Sequence, residues 1–228
     1  GGYQVHDVQL YLEHARELGG RGVCTIIGSG ELQNPSIATL ANALMIRAMD
    51  YNDIYWKQDP GHPSDLIPAA TSLGERDHKT GRDLITAIVL AYEIEMRLCE
   101  FAFPGIRERG WHHATLTAYA SPMVAGWMLG LNWPQMQHAI GISACRHFTL
   151  GAAVAGKLTM MKNTVDPMAT QVGVEAAMLA KRGYTGPENV LDGKEGMFHC
   201  LGPEFKAGIL TDGLGQGFRI KDCGMKSY

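Results

Sequence analysis

The stretch AMDYNDIYWKQDPGHPSDLIPAA, residues 48–70, joins two helical patterns through a break crowded with polar groups. The pattern before it closes on Asp50, Tyr51, Asn52, Asp53, Tyr55 and Trp56. Asp59-Pro60-Gly61-His62-Pro63 cannot continue a helix, and Ser64-Asp65 are cap residues opening a new apolar run. Carboxylates at the C-terminal end of a helix oppose its dipole and need compensation. Helix ends and the loops joining them can hold polar groups rigidly beside a cavity, so Asp50, Tyr51 and His62 are the first candidates for chemistry. The plainer reading makes Asp50 and Asp53 solvated helix-end carboxylates and His62 a turn residue.

Outward from this stretch, helical spacing dominates. Residues 6–18 carry Val8, Leu10, Tyr11, Leu12, Ala15 and Leu18 at roughly helical spacing, and Gly19-Gly20 stop the helix. Residues 23–27 are short, β-branched and bounded by glycine, a brief strand or an extended link. Asn34 caps and Pro35 opens a helix over residues 36–49. After the break, Ser64-Asp65 cap a helix reaching Glu75. Thr80 caps another, apolar on nearly every side over residues 84–101, which predicts a buried central helix. Further helices are expected over residues 114–131, from Pro134 towards Cys145, and from Thr164-Val165-Asp166-Pro167 to Arg182. Their abundance of Ala, Gly and Ser predicts close helix–helix packing. Past Pro203 the texture changes: glycines punctuate a loop, and Phe218-Arg219-Ile220-Lys221 alternates as a strand. The expected organisation is a mainly α chain, with a large all-helical domain over residues 1–203 and the start of a small α/β lid domain over residues 204–228. Both ends read as cut from something longer.

With 228 residues, 46% hydrophobic and 19% charged, the chain can bury a large core. A formal net charge of −3 with scattered lysines and arginines gives no electrostatic reason to expect nucleic acid. No apolar run reaches membrane-spanning length without polar interruption. Five distant cysteines without a C-x-x-C pair argue against a disulfide framework and a cysteine-ligated cluster, and point to a reducing cytoplasm.

Two further places could carry chemistry. Trp111-His112-His113 precedes an apolar helix; adjacent histidines point different ways on a regular element, so only one is expected to face a given site. No ligand set with metal spacing accompanies them, and no metal or other cofactor is expected. In KLTMMK, residues 157–162, Lys162 lies beside a helix start, and together they would make a positive pocket for a carboxylate. A solvated lysine is the plain alternative.

The runs LANALMIRAMDYNDIYW, GHPSDLIPAA, GWHHATLTAYASPMVAGWMLGL, MMKNTVDPMATQVGVEAAMLA and CGMKSY resemble the MmgE/PrpD family, in the family's order and over nearly the whole chain. The resemblance implies a helical domain followed by an α/β lid, a homodimer, and a cofactor-independent enzyme acting on a small polycarboxylate. It carries the family's site residues onto Asp50, His62, Lys162 and Lys226, and onto His112 or His113, with His113 favoured by W-D-H-type members. Tyr51 and Ser64 join Lys162 and Lys226 as expected substrate contacts. Decarboxylase members carry threonine where Ile54 stands here. A family histidine shortly after Lys226 has no counterpart in the chain.

The chemistry of these residue types agrees. Dehydrating a 2-methylcitrate-like acid removes a proton α to a carboxylate and expels hydroxide, gathering negative charge on a polyanion. Lys162, Lys226 and protonated histidines would hold that charge; a base and an acid would come from Asp50, His62 and His113, with a histidine as the acid. The expected activity is thus a 2-methylcitrate dehydratase-like lyase, as in propionate catabolism. The alternatives are an epimerase or decarboxylase of a related polycarboxylate, such as iminodisuccinate or cis-aconitate, and a non-catalytic helical dimerisation scaffold. A mobile His62 loop and a mobile lid from near Phe218 are expected to admit the substrate.

Overall fold

The computed structural model describes residues 1–18, 22–201 and 204–226. The Gly19-Gly20 stop, the domain boundary at Pro203 and the terminal Ser227-Tyr228 lie outside the described residues. The chain is mainly α, as expected. Helix α1 (His6–Leu18) turns Val8, Leu12 and Ala15 inward. Strands β1 (Cys24–Thr25) and β2 (Leu32–Gln33) form a small antiparallel ladder. Asn34 caps α2 (Pro35–Arg47) by accepting from the Ile37 amide, with Pro35 at its first position.

The stretch after α2 departs from expectation. Residues read as a helix end and a loop form β3 (Asp53–Trp56), antiparallel to β4 (Pro60–Gly61) on one side and to β5 (Gly224–Met225) on the other. Alternation of inward Asp53 and Tyr55 with outward Trp56 is a strand pattern hidden among polar residues. Ser64 and Asp65 do not cap a helix. They sit in a 3-10 turn, Pro63–Leu66, which leads into α3 (Ile67–Arg76), and the Ser64 hydroxyl donates to Asp53 instead. Every residue from Asp59 to Leu66 is buried, so the His62 segment is packed into the protein rather than exposed as an entrance loop.

Thr80 opens α4 (Gly81–Glu100) with a reciprocal capping box to Asp83. This helix is buried mostly along its second half; Ala87 is enclosed in the first half, but Ile85 is 67% exposed. The enclosed central helix is α5 (Ala114–Leu129), whose small side chains let neighbours approach from all sides. Asn132 caps α6 (Trp133–Arg146). Helix α7 (Met161–Lys181) begins a turn earlier than Thr164 and contains Pro167, which forgoes only the bond to the Asn163 carbonyl. Where α5 meets α7, a Cβ on Gly173 would lie 2.0 Å from Ser121 Oγ, so close packing requires glycine there.

A short α8 (Met197–Leu201) follows, with Phe198 stacked on Phe205 at 4.5 Å. The expected strand at Phe218–Lys221 is instead a 3-10 turn, Arg219–Asp222. Arg219 is pulled onto α4, pairing with Glu93 at 3.0 Å and Glu100 at 2.6 Å, and this pairing overrides the weak alternation. Among the described residues no helix is long and apolar enough to cross a membrane.

Candidate active site

Helix α2 ends at Arg47, and three residues on Asp50 takes a left-handed backbone, φ 55°, which aspartate tolerates better than most residues. That turn aims its carboxylate at two ammonium groups. Lys162, in the first turn of α7, donates to it at 2.8 Å, and Lys226, directly after β5, donates to its other oxygen. Burial works against ionisation of Asp50, yet the two lysine hydrogen bonds prevail and hold its pKa down to about 2. The Lys226 side chain is 5% exposed; burial draws its pKa down, and Asp50 opposes that pull.

These groups border a cavity of about 680 Å³ that also receives His62, His112 and His113. Both adjacent histidines reach it, contrary to the expectation that only one would. They precede α5 in an irregular turn, where the Trp111–Leu150 bridge and a bond from the His112 amide to the Thr149 carbonyl (2.8 Å) set the backbone. Their rings lie 3.9 Å apart, and His62 meets His113 edge-on at 5.2 Å.

Each ring has a different partner. His62 Nδ1 lies 2.7 Å from the Asp53 carbonyl, so it carries the proton and donates, leaving Nε2 with a lone pair. His112 Nδ1 accepts from the Ala114 amide at 3.1 Å, which puts its proton on Nε2. Burial, then the positive charge of Arg47, pushes His62 down to about 2; burial, then His113, pushes His112 down to about 3. Both stay neutral at pH 7. His113 Nε2 faces Asp166 Oδ2 at 3.3 Å, within ion-pair range but off the line of a well-formed hydrogen bond.

Beneath the histidines lies a buried charge cluster that the sequence reading missed. Arg47, 2% exposed, sits between Asp65 (3.4 Å) and Asp166 (3.3 Å), and it lines the cavity too. A signal existed: Arg47 precedes Asp50 by three residues, and Asp166 follows Lys162 by four on one helix face. Ile54, Trp56 and Trp111 supply apolar wall. Two expected substrate contacts stand apart from the cavity lining: Tyr51 is 61% exposed, and Ser64 is committed to Asp53.

His112, His113 and Asp166 bring one donor atom each within 4.8 Å of one another, a metal-like grouping that the spacing did not suggest. The guanidinium of Arg47 stands 3.3 Å from the same Asp166 oxygen, and its fixed positive charge opposes a divalent cation there.

The sequence profile of the MmgE/PrpD N-terminal domain matches residues 1–209. The chain belongs to the MmgE/PrpD family. It is 28% identical over 235 residues to the cis-aconitate decarboxylase of Aspergillus terreus, covering 96% of this chain and 47% of that protein. It is 30% identical over 165 residues to the human cis-aconitate decarboxylase, covering 69% of this chain and 33% of that one. To the mitochondrial 2-methylcitrate dehydratase of Yarrowia lipolytica it is 29% identical over 178 residues, 71% of this chain and 34% of that protein. The chain thus spans about half the length of the first of these MmgE/PrpD relatives. Decarboxylases and dehydratases both stand among them, which supports an enzyme of this family without fixing the reaction.

Proposed function

We propose that the cavity is the active site of a cofactor-independent lyase that dehydrates a small polycarboxylate of the 2-methylcitrate type. The observation that carries this reading is Asp50 clamped between Lys162 and Lys226 on the wall of a cavity shared with three buried histidines. Asp50 lets two like charges wait side by side; an incoming carboxylate would take over part of its role as their counter-ion. His62, with a bare Nε2, suits the base that removes the proton α to a carboxylate once a polyanionic ligand offsets the positive charge of Arg47 that lowers its pKa. His113, beside an acidic group, suits the acid that protonates the departing hydroxyl. Ile54 in the wall, where decarboxylase members carry threonine, favours water loss over loss of carbon dioxide.

Decarboxylation of cis-aconitate is the second reading, favoured by a likeness to the A. terreus decarboxylase that spans 96% of this chain. The expected setting is a cytoplasmic homodimer, with residues from 204 onward opening a lid domain. Cys24, Cys99, Cys145, Cys200 and Cys223 are all free thiols, which supports a reducing compartment. The test is proton NMR in deuterated water on the full-length protein with 2-methylcitrate, cis-aconitate and iminodisuccinate in turn. An alkene from 2-methylcitrate supports the dehydratase; carbon dioxide release from cis-aconitate, or deuterium exchange without elimination, replaces it. Lys162→Ala should lower kcat/KM on the turned-over substrate by about 10²–10³-fold. Unchanged turnover in that variant would remove the site from the reaction.

A further inference from the structure

Main-chain groups fix His62 and His112, whereas His113 alone among the three histidines is met by a side-chain carboxylate. That carboxylate, Asp166, is 1% exposed and faces three polar side chains, two of them at ion-pair distance. Oδ2 lies 3.3 Å from both His113 Nε2 and Arg47 Nη2. Oδ1 lies 3.5 Å from the Thr117 hydroxyl, which is bonded in turn to the buried Glu95 at 3.0 Å.

We propose that Asp166 is a positioning residue for His113, keeping the imidazole proton on Nε2 and leaving Nδ1 as the nitrogen that exchanges a proton with a bound ligand. The proposal rests on the reading of His113 as proton donor. The balance is simple: the imidazolium gives its Nδ1 proton to the departing hydroxyl, retains Nε2–H, and becomes neutral while Asp166 stays anionic. A buried carboxylate behind an imidazole fixes ring orientation and tautomer.

The surroundings direct negative charge to Asp166 rather than to its neighbour. Burial opposes ionisation of both acids beside Arg47, but His113 and Arg47 hold Asp166 well below the usual carboxylate range. Asp65, wholly buried, is raised well above that range by burial despite Arg47. The groups facing His113 are therefore neutral His62 and His112, anionic Asp166, and Arg47, with Asp65 and Glu95 behind them and Asp59 on the loop before β4.

The test is nitrogen-15 spectroscopy of the imidazoles in the full-length protein, alongside kcat and KM. In the unsubstituted protein His113 should carry its proton on Nε2 at neutral pH; a bare Nε2 overturns the proposal. In Asp166→Asn the Nε2–H preference should be lost and kcat should fall by about 10²–10⁴-fold with little change in KM. An unaltered His113 spectrum in that variant overturns the proposal, even if kcat falls, because Asp166 then acts elsewhere. Should Asp166→Asn fail to fold, the tautomer in the unsubstituted protein still decides. If no polycarboxylate is turned over, the function fails while the spectra still judge the Asp166–His113 pair.

Discussion

Asp50 carries a pH-dependent share of the stability through its two lysine partners. Its pKa is lowered from 3.8 to about 2, so it contributes stability that is fully present above about pH 4 and is lost as pH falls towards 2. Asp50→Asn should flatten acid denaturation in that window, as followed by circular dichroism, and leave Lys162 and Lys226 repelling each other. Glu95 has the opposite sign. Burial raises its pKa from 4.5 to about 8, so the folded state keeps a proton that the unfolded chain releases. Stability attributable to Glu95 therefore declines as pH rises from about 4.5 to about 8. Glu95→Gln, which keeps a partner for Thr117, should remove that decline in denaturant titrations at successive pH values. A variant whose slope matches the parent would show that Glu95 is ionised in the fold.

At the scale of elements, the α5–α7 contact leaves no room for a side chain at Gly173. Gly173→Ala would put a methyl group 2.0 Å from Ser121 Oγ and 2.7 Å from the Pro122 nitrogen, so the helices must part. The expected cost is about 1–3 kcal/mol, measurable as a lower urea midpoint. The same helices show what a sequence discloses. Caps at Asn34 and Thr80 were legible because they depend on bonds within a few residues. The exchange of roles between α4 and α5 was not, because enclosure depends on how many neighbours a helix acquires. Strand β3 was missed for a related reason: its partners are a two-residue segment nearby and another about 170 residues away. In the site, Asp50, His62 and Lys162 were found through breaks and charges. Arg47 closes one helix and Asp166 lies inside another, where a charge normally reads as a solvated face.

At the scale of the molecule, the segment carrying Lys226 is fastened to the helical body by Arg219. That side chain bridges Glu93 and Glu100 on α4, and Glu93 also accepts from Arg97 at 2.7 Å. Arg219→Ala should speed amide exchange at Gly224 and Met225 and raise KM more than it lowers kcat. Unchanged exchange there would mean that β5 holds without the clasp.

Lys226 reaches Asp50 only because Gly224 and Met225 zip onto the free edge of β3. The two ammonium groups beside Asp50 thus have separate origins, one at a helix start and the other on a late-sequence ribbon. A chain folded only as far as α7 would give Asp50 a single ammonium partner, because the second is brought by the ribbon that pairs with β3.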